Sequence, residues 1–237
     1  YITLYDVSQD PLWLARSKTL TETLLNSFWE QETGQLYLSA KDSLLPLRIK
    51  SNKDNATLSA TAITYELLTQ LSNRTPNQKY RVIAEQIFTA ESVTIQQRPM
   101  QYSYLLTAYS QANKGNLKHQ QFAAQGALKA TLRGNKQALN LEVELKPGWH
   151  INAHNVNDDR LIPTTLSADW ITHVKYPNAA SLSVAFMPKP IQVHGQKMTF
   201  IIETSIESSA LQAPVHFRFQ ACSQSICLPP ESLYFAP

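Results

Sequence analysis

Glycine is scarce, six in 237 residues. Loops that cradle phosphates spend several glycines within a few positions, so a nucleotide-binding site of that kind is not expected. The nucleophile-elbow pattern G-x-S-x-G does not occur, and no paired carboxylates stand in a recognisable catalytic setting. No apolar run approaches the ~20 residues of a membrane-spanning helix. The net charge of +3 is spread along the chain. Without a basic block or aromatic residues interleaved with one, it gives no nucleic-acid groove. Cysteine is limited to Cys222 and Cys227, and the six histidines make no closed four-ligand pattern with them, so neither a metal nor a cofactor is expected.

What is present is 43% hydrophobic and 16% charged residues, the balance of a globular protein able to bury a core. The hydrophobic period changes near residue 115, which divides the chain into two unlike domains, 1–116 and 117–237. The first residue is Tyr1, with neither an initiator Met nor a charged-then-apolar leader. We therefore expect a fragment or processed product of something longer.

The first part reads as helices. Between Asp10 and Glu30, Trp13, Ser17, Leu20, Leu24 and Phe28 recur at helical spacing, with Pro11 where a first turn tolerates it. Glu32-Thr33-Gly34 ends this helix, and Leu36 to Leu38 is short and extended. Ser59 can cap a second helix with a buried stripe of Ile63, Leu67, Leu68 and Leu71. Tyr80, Ile83, Ala84, Ile87 and Phe88 mark a third. Pro99 opens a fourth, with Tyr104, Leu105 and Ala108 on one face, and the short links imply antiparallel hairpins.

The order DPLWLARSKTLTETLLNSFWEQETGQLYLS, DNATLSATAITYELLTQLSNRT and KYRVIAEQIF resembles the last hairpins of the α/α-toroid in the thioredoxin-domain-containing YyaL family, over roughly residues 1–112. The resemblance implies an upstream remainder that includes a thioredoxin-like domain. Members of that family carry a Pro-Ser-Gly-Asn run facing the toroid cavity. Here the matching residues are Leu58-Ser59-Ala60-Thr61, so the Gly-Asn pair is missing.

After Asn113-Lys114-Gly115-Asn116 the period becomes two. Leu139, Leu141, Val143 and Leu145 alternate with polar residues, as do Val215, Phe217 and Phe219, the pattern of strands with one face on a core. Further strands are expected at 127–133, 170–176, 182–186 and 197–206, with a hairpin of 215–222 and 227–235. So many short strands suggest an immunoglobulin-like sandwich. The fold class is thus α plus β, with toroid-type helical hairpins followed by that sandwich.

The runs LKPGWHIN (145–152), LIPT (161–164), VKYP (174–177) and FQACSQSICLPP (219–230) resemble, in that order, the N-terminal periplasmic domain of the thiol:disulfide interchange protein DsbD. Many members place five residues between the cysteines, whereas this chain places four. The resemblance implies thiol-disulfide exchange at Cys222 and Cys227, exchanging with a thioredoxin-like domain and with oxidised protein or thiol substrates in the periplasm. It also implies a cap carrying an aromatic residue, matched by Phe186 in Phe186-Met-Pro-Lys-Pro190, and a site lined by Trp149, His150 and Asn152. Cys227 is the favoured attacked sulfur.

Residues opposed in an antiparallel hairpin stand ~4.5 to 5.5 Å apart at Cα, which a disulfide accepts. Closing so small a ring stabilises by only about 2 kcal/mol, so a redox centre is a better reading than a staple. Two alternatives stay open. One is a non-enzymatic interaction module with a structural disulfide, and the other is a binding module appended to a carbohydrate-active helical domain.

Overall fold

Asp10 and Ser59 each start a helix in the way their side chains allow. Asp10 Oδ1 accepts from Leu12 N at 2.9 Å with Pro11 in the first turn, and Ser59 Oγ accepts from Ala62 N at 3.1 Å. In the computed structural model, which describes residues 1–50, 52–115, 117–135, 138–204 and 213–237, these are the starts of α2 and α3. The helices are α1 (Ile2–Ser8), α2 (Pro11–Phe28), α3 (Ala60–Ser72), α4 (Lys79–Gln97) and α5 (Ser103–Lys114), with a 3-10 turn at Pro99–Tyr102. Residues separate into two compact units, Tyr1–Asn113 and Lys114–Pro237.

In the first unit α3 packs on α4, and Tyr65, Leu68, Leu71, Tyr80, Ile83, Ala84 and Ile87 are buried between the helices. The face read for α2 is corrected at one residue: Ser17 is buried and Leu24 and Phe28 pack half-buried against the core, but Leu20 is exposed, and Thr21 and Leu25 are buried in addition. Small side chains let a neighbour approach closely, and Thr21 satisfies its hydroxyl by donating to Ser17 O at 2.8 Å. On α3, Ile63 likewise faces outward while Ala62 and Thr64 are buried. Between α2 and α3 lies a small hairpin, β1 (Trp29–Glu30) and β2 (Gln35–Leu36). Its turn needs Gly34, which has φ +70° and would press a Cβ to 2.9 Å from Gln86 O on α4.

Glu91 and Arg74, the buried charged groups of this unit, have partners, whereas Trp29 Nε1, Ser39 Oγ, Ser43 Oγ and Gln101 Oε1 are buried with none among the described residues. Glu91 accepts from Asn52 Nδ2 at 3.0 Å and Tyr102 Oη at 3.3 Å. Asp54 accepts from Ser59 N at 3.0 Å and Tyr104 N at 2.9 Å, and Arg74 grips Asp6 through two bonds of 2.7 Å.

The second unit is antiparallel throughout its described strand pairs. A five-stranded sheet runs β3 (Gln120–Ala123), β4 (Leu128–Asn135), β5 (Ala138–Leu145), β11 (Lys197–Thr204), β8 (Ile171–Lys175). A three-stranded sheet runs β14 (Glu231–Phe235), β12 (Val215–Phe219), β7 (Thr165–Ser167). A four-stranded sheet runs β13 (Ala221–Cys222), β6 (His150–Asn152), β10 (Ile191–His194), β9 (Ala180–Leu182).

Alternation delivers Leu128, Ala130, Leu132, Leu141, Val143 and Phe200 from one sheet and Phe217, Phe219, Leu233 and Phe235 from another into a single core. Each fully buried Leu or Phe there stabilises by about 1.5–3 kcal/mol. The chain leaves β5 through a turn at Lys146–Trp149, closed by Trp149 N donating to Lys146 O at 3.1 Å. Pro147 and Gly148, at φ +82°, meet the needs of a type II turn.

Two strand readings change. The expected strand 182–186 ends at Leu182, and 183–187 form a turn and its flanks. The expected hairpin of 215–222 with 227–235 is shared between two sheets, because β12 stops at Phe219 and β13 joins β6. On the returning side Pro229 and Pro230 lack the N–H that pairing needs, so β14 begins only at Glu231.

Candidate redox site

The two cysteines close the tip of the hairpin. Leu228 N donates to Ala221 O at 2.9 Å and Ser223 N to Ile226 O at 2.8 Å. Cys222 and Cys227 between them form a non-hydrogen-bonded pair, the closer kind of antiparallel opposition. Their Cα atoms are 4.0 Å apart, and the sulfurs are bonded at 2.05 Å. Ser223 Oγ accepts from Ser225 N at 3.3 Å and Ile226 N at 3.2 Å, which holds the four-residue turn.

The sheet alternation decides which way each residue looks. Ala221 and Ile151 are register partners and both belong to the main core. Cys222 and its partner His150 are one step along, so both turn to the opposite face. Asn152, two residues from His150, shares that face, and so does Val193, its partner on β10. Cys222 is therefore buried by what lies over the sheet, not by the main core. It is 0% exposed, whereas Cys227 is half-buried.

A second, smaller core covers this outer face. Leu161, Val184, Ile191 and Val193 form it, with Phe186 and Met187 packed against them half-buried. The turn that carries Phe186 is fastened to the cysteine loop, since Ala185 N donates to Gln224 O at 3.3 Å. Phe186 thus stands in a segment bonded to the loop between the cysteines, beyond the end of a strand.

The fold brings His150, Asn152 and the Phe186 turn to the face of Cys222, and it turns Trp149 away, half-buried against the main core. His150 is 4% exposed and its Nε2 has no hydrogen-bond partner among the described residues. Burial pushes its pKa below the usual imidazole value. Asn152 Nδ2 donates to Ile162 O at 3.0 Å and Gln220 Oε1 at 3.2 Å, while its Oδ1 is buried without a partner.

Sequence reasoning missed Gln220. Its Nε2 donates to Leu228 O at 3.1 Å and its Oε1 receives Asn152, so one amide ties β6 to the residue after Cys227. The signal was the position: Phe219 and Ala221 enter the core, so Gln220 faces outward with Cys222, two residues before it.

Among the described residues no cluster of three or more His, Cys, Asp or Glu could hold a metal, and no helix is long and apolar enough to cross a membrane.

Residues 118–237 match the model of the family "Thiol:disulfide interchange protein DsbD, N-terminal", and residues 1–131 match that of glycosyl hydrolase family 47, an α/α-toroid-like helical domain. The two matches overlap over 118–131, where the chain forms β3 and the first half of β4. None of the curated proteins matches the chain. Among solved structures, the reduced DsbD N-terminal domain of Neisseria meningitidis is similar at 14% identity and a TM-score of 0.36, over 47% of this chain and 84% of that one. The N-terminal periplasmic domain of ScsB from Proteus mirabilis is similar at 19% identity and a TM-score of 0.33. That alignment covers 46% of this chain and 45% of that one.

Proposed function

The chain belongs to the family of the thiol:disulfide interchange protein DsbD N-terminal domain through residues 118–237, and through residues 1–131 to glycosyl hydrolase family 47; from the first membership we propose that it is a thiol-disulfide exchange module. Cys222 and Cys227 relay electrons between a thioredoxin-like domain and oxidised protein or thiol acceptors. The observation that carries this reading is the unequal burial of one bonded pair, with Cys222 inaccessible and Cys227 half-exposed at a four-residue turn.

Exchange needs one sulfur that a partner can reach and a second that stays close enough to resolve the mixed disulfide. In the reducing half-reaction a partner thiolate attacks Cys227 Sγ, the Cys222–Cys227 bond breaks, and Cys222 leaves with the electron pair. A second partner thiolate then attacks its own sulfur in the mixed disulfide and releases Cys227. Phe186 and Met187 act as the cap, and His150 and Asn152 line the floor. Such a module works outside the cytoplasm, in the periplasm, where disulfides persist.

Replacing both cysteines (Cys222→Ser with Cys227→Ser) tests the reading against reduced thioredoxin as electron donor. Loss of electron transfer with thioredoxin binding retained is the expected outcome. Unchanged function in the double variant would instead support the docking reading, in which partner binding and not electron transfer is the function.

A further inference from the structure

The sulfur that leaves in that exchange has an awkward position. Cys222 is 0% exposed, so a thiolate formed there sits in a place that excludes water. Charge so placed must be neutralised or paired. The register of β13 on β6 sets His150 directly opposite Cys222. Opposed residues of an antiparallel pair project from the same face with Cβ atoms about 4.5–5.5 Å apart, so imidazole and thiol stand beside each other.

His150 is itself enclosed, and its Nε2 is satisfied by no group among the described residues. A buried polar atom without a partner calls for an explanation, and on the residue paired with a reactive cysteine a bond that forms only in another chemical state supplies one. In the disulfide state described here, Cys222 has no proton to give and little power to accept one. In the dithiol state it has an S–H to donate.

We propose that His150 Nε2 is the proton-exchange group of Cys222, taking its proton when Cys222 resolves a mixed disulfide and returning it when Cys222 is released. The proposal rests on the exchange reading above and deepens it. During oxidation of the dithiol, the Cys227 thiolate first attacks a disulfide of a protein or small thiol, displacing one thiolate and forming a mixed disulfide. Cys222 then passes its S–H proton to His150 Nε2 and attacks Cys227 Sγ. The Cys222–Cys227 bond forms, the bond from Cys227 to the partner breaks, and the partner sulfur leaves with the electron pair. Two electrons move to the partner, and His150 releases its proton to solvent or to that thiolate.

The surroundings suit a base more than a standing cation. Burial is the one cause that lowers the His150 pKa, and no neighbouring charge contributes, so the ring is neutral near pH 7 and free to accept. Cys222 faces it from β13, and Cys227 is bonded to Cys222 from the returning arm of the hairpin. From β10, His194 is partnered with Ile151 and so belongs to the other face. Asn152, on the same face of β6, carries no charge.

The test uses the full 237-residue chain with oxidised glutathione as the probe. Single-turnover rates of attack by Cys227 and of resolution by Cys222 are measured separately between pH 5 and 9, in the wild type and in His150→Gln. The proposal expects resolution in the variant to slow about 100-fold at pH 7, the lower range for a lost general base, with the imidazole inflection gone and attack unchanged. Equal resolution rates and pH profiles in the two proteins overturn it.

Should His150→Gln fail to fold, nitrogen NMR of the wild-type imidazole decides. Nε2 must shift between the disulfide and dithiol states, and identical resonances overturn the proposal. A wild-type disulfide inert to glutathione and dithiothreitol would sink the exchange reading itself, whereas exchange that ignores His150 sinks only this inference.

Discussion

The two units differ most in the chemistry they carry. All six histidines and both cysteines fall between His119 and Cys227, so residues 1–113 hold no side chain whose ordinary pKa lies between pH 5 and 8 and no thiol. The helical unit meets its buried Glu91 and Arg74 with named partners. Both units also hold buried polar atoms with no partner among the described residues. In the helical unit these are Trp29 Nε1, Ser39 Oγ, Ser43 Oγ and Gln101 Oε1. In the sandwich they are both His194 nitrogens together with His150 Nε2 and Asn152 Oδ1, the last two on the face that Cys222 shares. An unmet buried polar group costs about 1–3 kcal/mol. What sets the sandwich apart is that its unmet atoms include an imidazole nitrogen of the residue paired with Cys222.

The comparison breaks most sharply at the cysteines. Cys227→Ser is expected to abolish exchange with oxidised glutathione, while Cys222→Ser still attacks and accumulates a mixed disulfide at Cys227. Mass spectrometry of the trapped species checks this, and a trapped adduct on Cys222 would reverse the assignment. Next in size is the helical unit's own dependence on partnered polar groups. Glu91→Leu strands Asn52 and Tyr102 and is expected to cost about 1–3 kcal/mol in urea unfolding, with no change in the reduction potential of the disulfide.

Ser59→Ala removes the cap of α3 and is expected to cost about 1 kcal/mol, again with the potential unchanged. A potential that moved with either helical substitution would show the two units to be chemically coupled.

The smallest effect is one of pH. Burial lowers the pKa of His150, His194 and His216 in the folded sandwich, so the unfolded chain takes up protons first as the pH falls. Their contribution to stability is full above the ordinary histidine value of about 6.5, and it is lost as the pH drops from there through the depressed folded values. The helical unit has no histidine with which to follow. Amide hydrogen exchange at pH 7 and pH 5 should show protection falling in residues 118–237 and holding in α3 and α4.

How far the sequence reached depended on whether a residue's neighbours were local. The cap at Ser59 and the stripe Tyr80, Ile83, Ala84 and Ile87 follow from spacing within one helix, and both stand as read. Leu20 and Ile63 were assigned inward on helical spacing, yet they are exposed, and the buried positions beside them are taken by the smaller Thr21 on α2 and Ala62 and Thr64 on α3. In the sandwich the alternation Val215, Phe217, Phe219 was legible, and continued two steps it places Ala221 inward and Cys222 outward.

What the alternation could not reveal was that the chain changes sheets at Gln220 and that β13 pairs with β6. That pairing spans some seventy residues of sequence and sets His150 against Cys222. The Phe186 segment was found by resemblance, but its bond from Ala185 to Gln224 joins two loops that no periodicity connects.

The most direct trial of the redox account is the reduction potential of the Cys222–Cys227 pair, measured by thiol trapping at defined ratios of reduced to oxidised glutathione. The account predicts a midpoint above about −300 mV, within reach of thioredoxin-like partners. A disulfide that stays closed below that value would be a structural staple and would contradict it.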